Sequence, residues 1–376
     1  MATGVLTAYD LTTGVIVDMD EAIYLISPTD SPMIAGTGAD GLSVLSVEDT
    51  DEKKVEWMDE DILTPRTTLS AQVVTATTVL TVPAGDELKF VSGDIIMVGA
   101  HAEYVQVTNA AIVSGQITVT RAFAGTATTI VTSTALVGVG SALPEGSDPG
   151  TARAKDRTGR YNVTQIFGPT KISMSRTEAR VAKYGVADEW SKQLMNRIAE
   201  NVIMREQAIL YGQLTENSGT KIRTMGGLYY WINSLGNMDS STTSLTPLAI
   251  QTMQQTCYNK GAVPDRGMGN PTQTKNLTDV NTLTTIHESR DVTQRGREPA
   301  TYVDTEFGRL TIVRNRWVIN SDFFMFRRET TKRRVLDPLQ FEWLAKTGDS
   351  KNGQIVCEES LEVKGAQHMG MFTALT

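Results

Sequence analysis

The stretch that most constrains this chain is residues 186–213, which contain no proline and no glycine before Gly212. Apolar side chains recur there at the spacing of one helix face. They are Trp190, Leu194, Ile198, Val202 and Ile209, with a neighbouring row of Met195, Ala199, Ile203 and Leu210. The pattern predicts a single helix of about 28 residues, roughly 42 Å long. Because this stretch carries no catalytic motif, such a helix favours a role in giving shape.

The composition is that of a soluble globular protein, since 40% of the 376 residues are hydrophobic and 21% are charged. This length allows two or three domains. Only three histidines occur, which argues against an enzyme. Cys257 and Cys357 lack the spacing of a metal site, and we expect free thiols. With no charged leader and no membrane-length apolar run, we expect the chain to stay in the cytoplasm unless a whole particle leaves the cell.

Charge is spread unevenly along the chain. Residues 1–61 carry 14 acidic and 2 basic side chains, a net charge of −12, and the remainder carries 29 acidic and 33 basic, a net charge of +4. An acidic segment and a basic body in one chain suit head-to-tail contact between copies. The alternative, that both are solvated surfaces, remains open.

The region 71–143 contains short β-rich runs about ten residues apart, with turn residues between them. The runs are 79–82, 95–98, 104–107, 117–120 and 129–132. This rhythm is typical of a small β-sandwich or barrel. Extended segments at 51–70 and 144–168 flank it, so we expect the block at the tip of a two-stranded antiparallel loop.

The second half of the chain predicts a compact α/β region. Thr246 is a helix N-cap with Pro247 at the first helical position. A second helix is expected to begin at Pro271. Phe307 and Gly308 can join residues 301–305 to 309–319 as a hairpin, and the last strands are expected at 354–363 and 369–375.

Motifs that carry catalysis are missing from the sequence. Neither GxxxxGK[ST] nor GxSxG occurs, and residues 138–140 fit a turn better than a phosphate loop. The acidic residues 59–61 lack the glycine-containing pattern of a calcium loop. We therefore predict no catalytic residue, no metal site and no cofactor.

A basic run lies near the C-terminal third. It consists of Arg327, Arg328, Lys332, Arg333 and Arg334, with Glu329 and Asp337 embedded in it. It suits contact with phosphates without base specificity. It also suits pairing with acids of a neighbouring chain, which we favour because of the embedded acids.

Several local sequences, in this order, resemble the tailed-bacteriophage major capsid (coat) protein of the Hong Kong 97 type. They are Ser31-Pro32-Met33 in the arm, Val55-Glu56-Trp57 and Asn162-Val163-Thr164-Gln165-Ile166 in the outgoing and returning loop strands, Lys171-Ile172-Ser173-Met174-Ser175 before the long helix, Gly226-Gly227-Leu228 after it, and Leu344-Ala345-Lys346-Thr347-Gly348-Asp349 with Glu359-Ser360-Leu361-Glu362-Val363 near the end. The resemblance covers nearly the whole chain except 71–140.

The resemblance implies an α+β fold with an inserted small all-β domain. Residues 1–50 would form an N-terminal arm, 51–70 and 144–168 an extended loop, and 71–143 the insert. A peripheral domain would comprise 169–219, with the long spine helix, and 336–376; the axial domain would be 220–335. Contacts between subunits are expected at Met33, Glu56, Trp57, Asp59, Arg153, Arg157, Arg327, Arg328 and Arg333.

The implied function is a structural subunit, not an enzyme, that assembles as hexamers and pentamers into an icosahedral shell around double-stranded DNA. Portal, scaffolding and decoration proteins would be further partners, with no membrane. The chain would be assembled in the host cytoplasm and end in the virion. Deleting residues 1–50 is expected to leave a folded subunit that forms no particles. An encapsulin-like nanocompartment shell, and a carbohydrate-binding or carbohydrate-active protein with 71–140 as its sugar module, are the alternatives.

Overall fold

A computed structural model describes residues 30–34, 44–142, 144–146, 156–181, 188–281, 302–346 and 348–376. Its strands are β1 Ser46–Asp49, β2 Lys54–Asp59, β3 Arg66–Thr68, β4 Val79–Thr81, β5 Asp94–Val98, β6 Glu103–Val113, β7 Gln116–Gly125, β8 Ala135–Ser141, β9 Thr158–Val163, β10 Gln165–Ser175, β11 Thr215–Asn217, β12 Ile222–Thr224, β13 Asn237–Asp239, β14 Arg266–Gly269, β15 Tyr302–Thr305, β16 Gly308–Arg314, β17 Phe323–Phe326, β18 Thr331–Trp343, β19 Ser350–Val363 and β20 Gly370–Phe372. Its α-helices are α1 Glu189–Tyr211, α2 Leu228–Leu235, α3 Pro247–Asn259 and α4 Pro271–Asn281.

The chain divides into two compact units. Unit 1 comprises Met1–Trp57 and Arg160–Thr376, and unit 2 comprises Met58–Gly159. The chain passes between the units through β2 and β9, which pair as a two-stranded sheet. The two extended segments therefore pair, as predicted, over part of their length. The domain bounds proposed from the sequence stay a prediction.

Unit 2 is built on a six-stranded sheet of order β3-β8-β5-β6-β7-β4. One face buries a core that includes Leu80, Phe90, Ile96 and Leu136. Four of the five predicted β-rich runs lie in strands β4 to β7. The fifth, 129–132, contributes a single bridge from Ile130. Residues 138–140, predicted as a turn, lie within β8, because Gly138 and Gly140 pair with Ile96 and Ile95 of β5.

Unit 1 contains a four-stranded sheet of order β1-β18-β19-β10. The long strands β18 and β19 pair antiparallel, and β1 joins β18 in parallel. Residues 171–175, which the resemblance places before the long helix, lie in β10, and their backbone pairs with residues 350–354 of β19.

A second sheet of unit 1 has the order β13-β20-β17-β14-β16-β15. The predicted hairpin is confirmed, with Thr305 opposite Gly308. The start of α3 is confirmed as well, since the Thr246 side chain accepts a hydrogen bond from the Ala249 N–H. The C-terminal strand β20 joins this sheet rather than the four-stranded one. Helix α2 begins at Leu228, directly after Gly226 and Gly227, and the sequence analysis predicted no helix there.

Helix α1 is shorter than predicted, at 23 residues. The Asp188 side chain caps it by accepting hydrogen bonds from the N–H groups of Trp190 and Ser191. The predicted apolar stripe is only partly buried. Trp190, Ile209 and Leu210 are in the core, whereas Met195 is 72% exposed. Three polar side chains of the helix are buried in their place: Asn201, Arg205 and Glu206. The stripe prediction was therefore wrong in part, because tertiary pairing buries charges on this helix.

Candidate assembly site

Four of the buried charged side chains of unit 1, each at most 6% exposed, lie on helix α1 and on strands β18 and β19. They are Arg205 and Glu206 of α1, Arg333 of β18 and Glu359 of β19, and we name them the buried charge cluster. Isolated charges are costly to bury unless they are paired and hydrogen-bonded. Two acids and two bases are present, so the cluster balances its own charge. It connects the helix to the four-stranded sheet.

Glu359 is the centre of this cluster. Arg205 donates from Nε to Oε1 at 2.8 Å and from Nη2 to Oε2 at 2.6 Å, which is a bidentate pair. Arg333 donates from Nη2 to Oε2 at 2.7 Å. Burial acts to raise the pKa of Glu359, but the hydrogen bond from Arg205 and the charge of Arg333 outweigh it and hold the pKa below its usual value. Glu359 is therefore an anion that ties α1 to β18.

Glu206 holds a segment of the N-terminal arm. The Met33 N–H lies 3.1 Å from both carboxylate oxygens, and Asn315 donates from Nδ2 to Oε1 at 2.6 Å. Burial raises the pKa of Glu206 to about 7, although these hydrogen bonds and the charge of Arg333 oppose the rise. The carboxylate thus receives donors from two chain segments far apart in sequence.

Further contacts fix the same arm segment to its own subunit. The Trp317 indole Nε1–H donates to the Asp30 carbonyl oxygen at 2.7 Å, and Arg316 pairs with the Asp30 carboxylate at 2.6 Å. Met33 itself is fully buried. The described part of the acidic arm therefore meets basic groups of its own chain. The expected contact of the arm with a neighbouring copy stays a prediction.

The basic run is also neutralised within the chain. Lys332 pairs with Glu48 of β1. Arg334 pairs with Glu48 at 2.7 Å and with Glu362 at 2.5 Å. Lys332 and Arg334 thus face Glu48, whereas Arg333, which lies between them on β18, faces Glu359. Neither a phosphate surface nor acids of a neighbour are needed to explain these three charges.

The predicted contact residues of the loop lie in different surroundings. Glu56 is exposed and pairs with Lys54 at 2.7 Å. Trp57 is buried against Trp231, with ring centroids 5.1 Å apart. Asp59, half-buried, ends β2. Arg157 is exposed and lies 3.7 Å from Glu60 within unit 2. Arg153 lies outside the described residues.

The remaining predicted contact residues belong to unit 1. Arg327 is half-exposed and pairs with Glu329 at 2.6 Å, and the Arg328 N–H donates to Asp265 at 2.8 Å. Met33 donates a hydrogen bond to Glu206, and the charge of Arg333 acts on the same carboxylate. The roles of all the predicted residues between subunits stay predictions.

Sequence reasoning missed Arg205, Glu206 and Glu359. One signal was present, because Arg205 and Glu206 interrupt the apolar row between Val202 and Ile209. A charge on the buried side of a helix requires a buried partner. The partner Glu359 lies 154 residues further along the chain.

Within the described residues, no group of three or more His, Cys, Asp or Glu side chains could hold a metal ion. Among the same residues, no helix is both long and apolar enough to cross a membrane.

Solved structures with the same fold come from phage capsids. The cyanophage A-1(L) capsid asymmetric unit aligns with a TM-score of 0.55 at 10% identity, over 99% of this chain and 100% of that one. A chain from Microbacterium phage Oxtober96 aligns with a TM-score of 0.53 at 10% identity, over 98% and 99%. The capsid of Myoviridae phage XM1 gives 0.51 at 10% identity, over 96% and 100%. No curated protein sequence matches the chain.

The fold defines a class, the α+β capsid proteins of the Hong Kong 97 type. The sequence profile of the SU10 major capsid protein family matches residues 3–376, and the chain belongs to this family. The protein is a structural shell subunit of a tailed phage, which assembles with copies of itself and belongs in the virion. The family match favours this function over the encapsulin and carbohydrate alternatives.

Proposed function

We propose that this subunit assembles through hexamers and pentamers into an icosahedral shell around double-stranded DNA and has no catalytic activity. The observation that carries the proposal is the family match over residues 3–376. The buried charge cluster supports it, because its charged groups are paired with one another and are not open to a substrate. These pairs hold helix, sheet and arm segment together as one body.

Assembly is proposed to depend on many weak contacts per subunit. Each contact alone is modest, but their number makes a closed lattice stable. Head-to-tail contacts of identical subunits close into rings. Of the predicted contact residues, those with exposed or half-exposed side chains are proposed as contacts: Glu56, Asp59, Arg157, Arg327 and Arg328. Met33, Trp57 and Arg333 are proposed to act indirectly, by holding the subunit in shape.

Further partners are proposed on the implication of the family alone. They are packaged DNA bound without sequence specificity, a portal, a scaffolding protein and a decoration protein. Assembly is proposed to take place in the host cytoplasm. The peripheral, axial and inserted domains keep the bounds proposed from the sequence.

The truncation expected from the sequence has to be revised. Removing residues 1–50 deletes Met33, Val44 and Leu45, which are buried in the main core of unit 1. It also deletes β1, which pairs with β18. We therefore expect this truncation to destabilise the subunit itself. Removing residues 1–29 keeps every described contact of the arm segment.

The test is electron microscopy of the purified chain, expressed alone and together with the scaffolding protein of the same phage. We expect closed shells. A variant that lacks residues 1–29 is imaged under the same conditions for comparison. A subunit that stays a lone soluble species under both conditions contradicts the proposal. Turnover of a small substrate by such a species would favour an enzyme instead.

A further inference from the structure

The outer face of helix α3 lacks the charges that a solvated helix face normally carries. Between Arg223 and Lys260 the only charged residue in the sequence is Asp239. The inner side of the helix buries Ile250, Met253, Gln254 and Cys257 in the interior of unit 1. Its opposite side exposes Leu248 at 71% and Tyr258 at 58%. Depletion of charge with exposed aromatic and aliphatic groups is typical of the centre of a protein interface.

Leu248 forms a ridge between two hollows. One hollow, with a cavity volume of about 700 Å³, lies between α3 and the segment after β13, beside Asp239 and Thr252. The other, about 790 Å³, lies between the start of α3 and the β15–β16 hairpin, beside Asp304 and Glu306. Leu248 lines both hollows. A ridge with hollows on either side can interlock with a second protein surface.

The charge distribution indicates that this second surface belongs to another copy of the chain. The chain has a net charge of −8, so identical copies repel each other over much of their surface. A neutral face lets two copies approach without like charges in contact. The hairpin side of the face carries exposed Glu306 beside Asp304, which pairs with Arg309 at 2.7 Å, whereas Lys260 is exposed just beyond the C-terminal end of the helix. Head-to-tail contact would bring Lys260 of one copy to Glu306 of the next.

We propose that the outer face of α3, centred on Leu248, is a contact surface onto a second copy of this chain. The inference rests on the proposed function and names one of its contact surfaces. Because the two ends of the face differ in charge, the contact is head-to-tail, and contacts of this kind close into rings.

The first test is thiol labelling of a Leu248→Cys variant. Cys257 and Cys357 are buried, so a maleimide reports on the introduced thiol and the wild-type chain is the blank. We expect labelling at least about tenfold slower in assembled particles than in unassembled subunits. Equal labelling rates in both forms would overturn the inference.

The second test places a charge on the face. We expect Leu248→Asp to lower the assembled fraction at least about tenfold at an unchanged thermal midpoint, since the side chain is exposed. Leu248→Asn, of the same size and uncharged, is the matched control and should assemble better than Leu248→Asp. We expect Lys260→Glu to weaken assembly and Glu306→Lys to restore it. Failure of that rescue would overturn the head-to-tail arrangement.

The outcomes separate this inference from the proposed function. If wild type forms shells and Leu248→Asp forms them equally well, the inference is wrong and the proposed function stands. If wild type forms no shells even with the scaffolding protein, the proposed function is wrong and the inference is overturned with it.

Discussion

Replacing Glu359 with glutamine removes the carboxylate that Arg205 and Arg333 share inside unit 1. The side chain keeps its size, so the change is in charge and hydrogen bonding rather than in volume. The variant keeps both buried arginines but removes the anion that they share. Arg205 loses one half of its bidentate pair, whose two distances are 2.8 and 2.6 Å.

The expected loss follows from the burial of these groups. Breaking a buried ion pair by removing one partner costs about 3–5 kcal/mol, because an uncompensated charge is left behind. The glutamine oxygen still accepts one hydrogen bond, so we expect about 3 kcal/mol. If the free energy of unfolding decreases by roughly 2–3 kcal/mol per M urea, the urea concentration at the unfolding midpoint should fall by about 1 M.

Tryptophan fluorescence reports this unfolding from unit 1 alone. The five tryptophans of the chain all belong to unit 1, at positions 57, 190, 231, 317 and 343. The measurement is urea unfolding of unassembled subunits, with the midpoint compared between Glu359→Gln and wild type at the same pH. A second variant, Glu359→Gln with Arg333→Met, should recover part of the loss because it restores the charge balance.

The matched control is Glu329→Gln, which breaks an exposed ion pair. Arg327 and Glu329 are 39% and 76% exposed, and pairs of this kind contribute at most about 1 kcal/mol. We expect its midpoint to stay within about 0.3 M of wild type. If Glu359→Gln shifts the midpoint no more than Glu329→Gln, the buried charge cluster does not stabilise unit 1 and the reasoning fails.

Three further predictions concern single sites. Because burial raises the pKa of Glu206 from 4.5 to about 7, the folded state binds more protons than the unfolded state in this range. The free energy of unfolding should therefore fall as pH rises from about 4.5 to about 7, by about 3 kcal/mol in all. Urea midpoints measured between pH 5 and pH 8 should show this fall in wild type and lack it in Glu206→Gln. Parallel pH curves for the two proteins would contradict the prediction. Gly212→Ala places a Cβ 2.5 Å from two backbone carbonyl oxygens and should cost about 1–3 kcal/mol in thermal unfolding, unlike Gly348→Ala, which meets nothing within 4 Å. Burial raises the pKa of Cys257 and Cys357 to about 11, so a thiol reagent should modify them only after denaturation, and fast reaction of the native chain would disprove their burial.

Local features of the fold were predictable because they depend on neighbouring residues. Thr246 and Pro247 start a helix through a side-chain cap and a fixed backbone angle. The turn at Phe307 and Gly308 joins two strands that follow each other directly. The existence of the long helix was predictable for the same reason, although its two ends were not.

Strand assignments failed where pairing decides the conformation. Residues 138–140 were expected to form a turn but lie in β8, because Gly138 and Gly140 pair with Ile96 and Ile95 of β5. These partners come from distant parts of the chain. A pattern over a few residues contains no information about which strand will lie beside it.

The sequence by itself determined the helices, the turns and, through its ordered local resemblances, the class of fold. Only the tertiary structure decided which charges are buried. Arg333 and Arg334 are adjacent and chemically alike, yet one enters the buried charge cluster and the other faces Glu48 and Glu362. The physical reason is that an ion pair depends on distance in space and on the exclusion of water, and residues 154 positions apart meet at 2.6 Å only once the chain has folded.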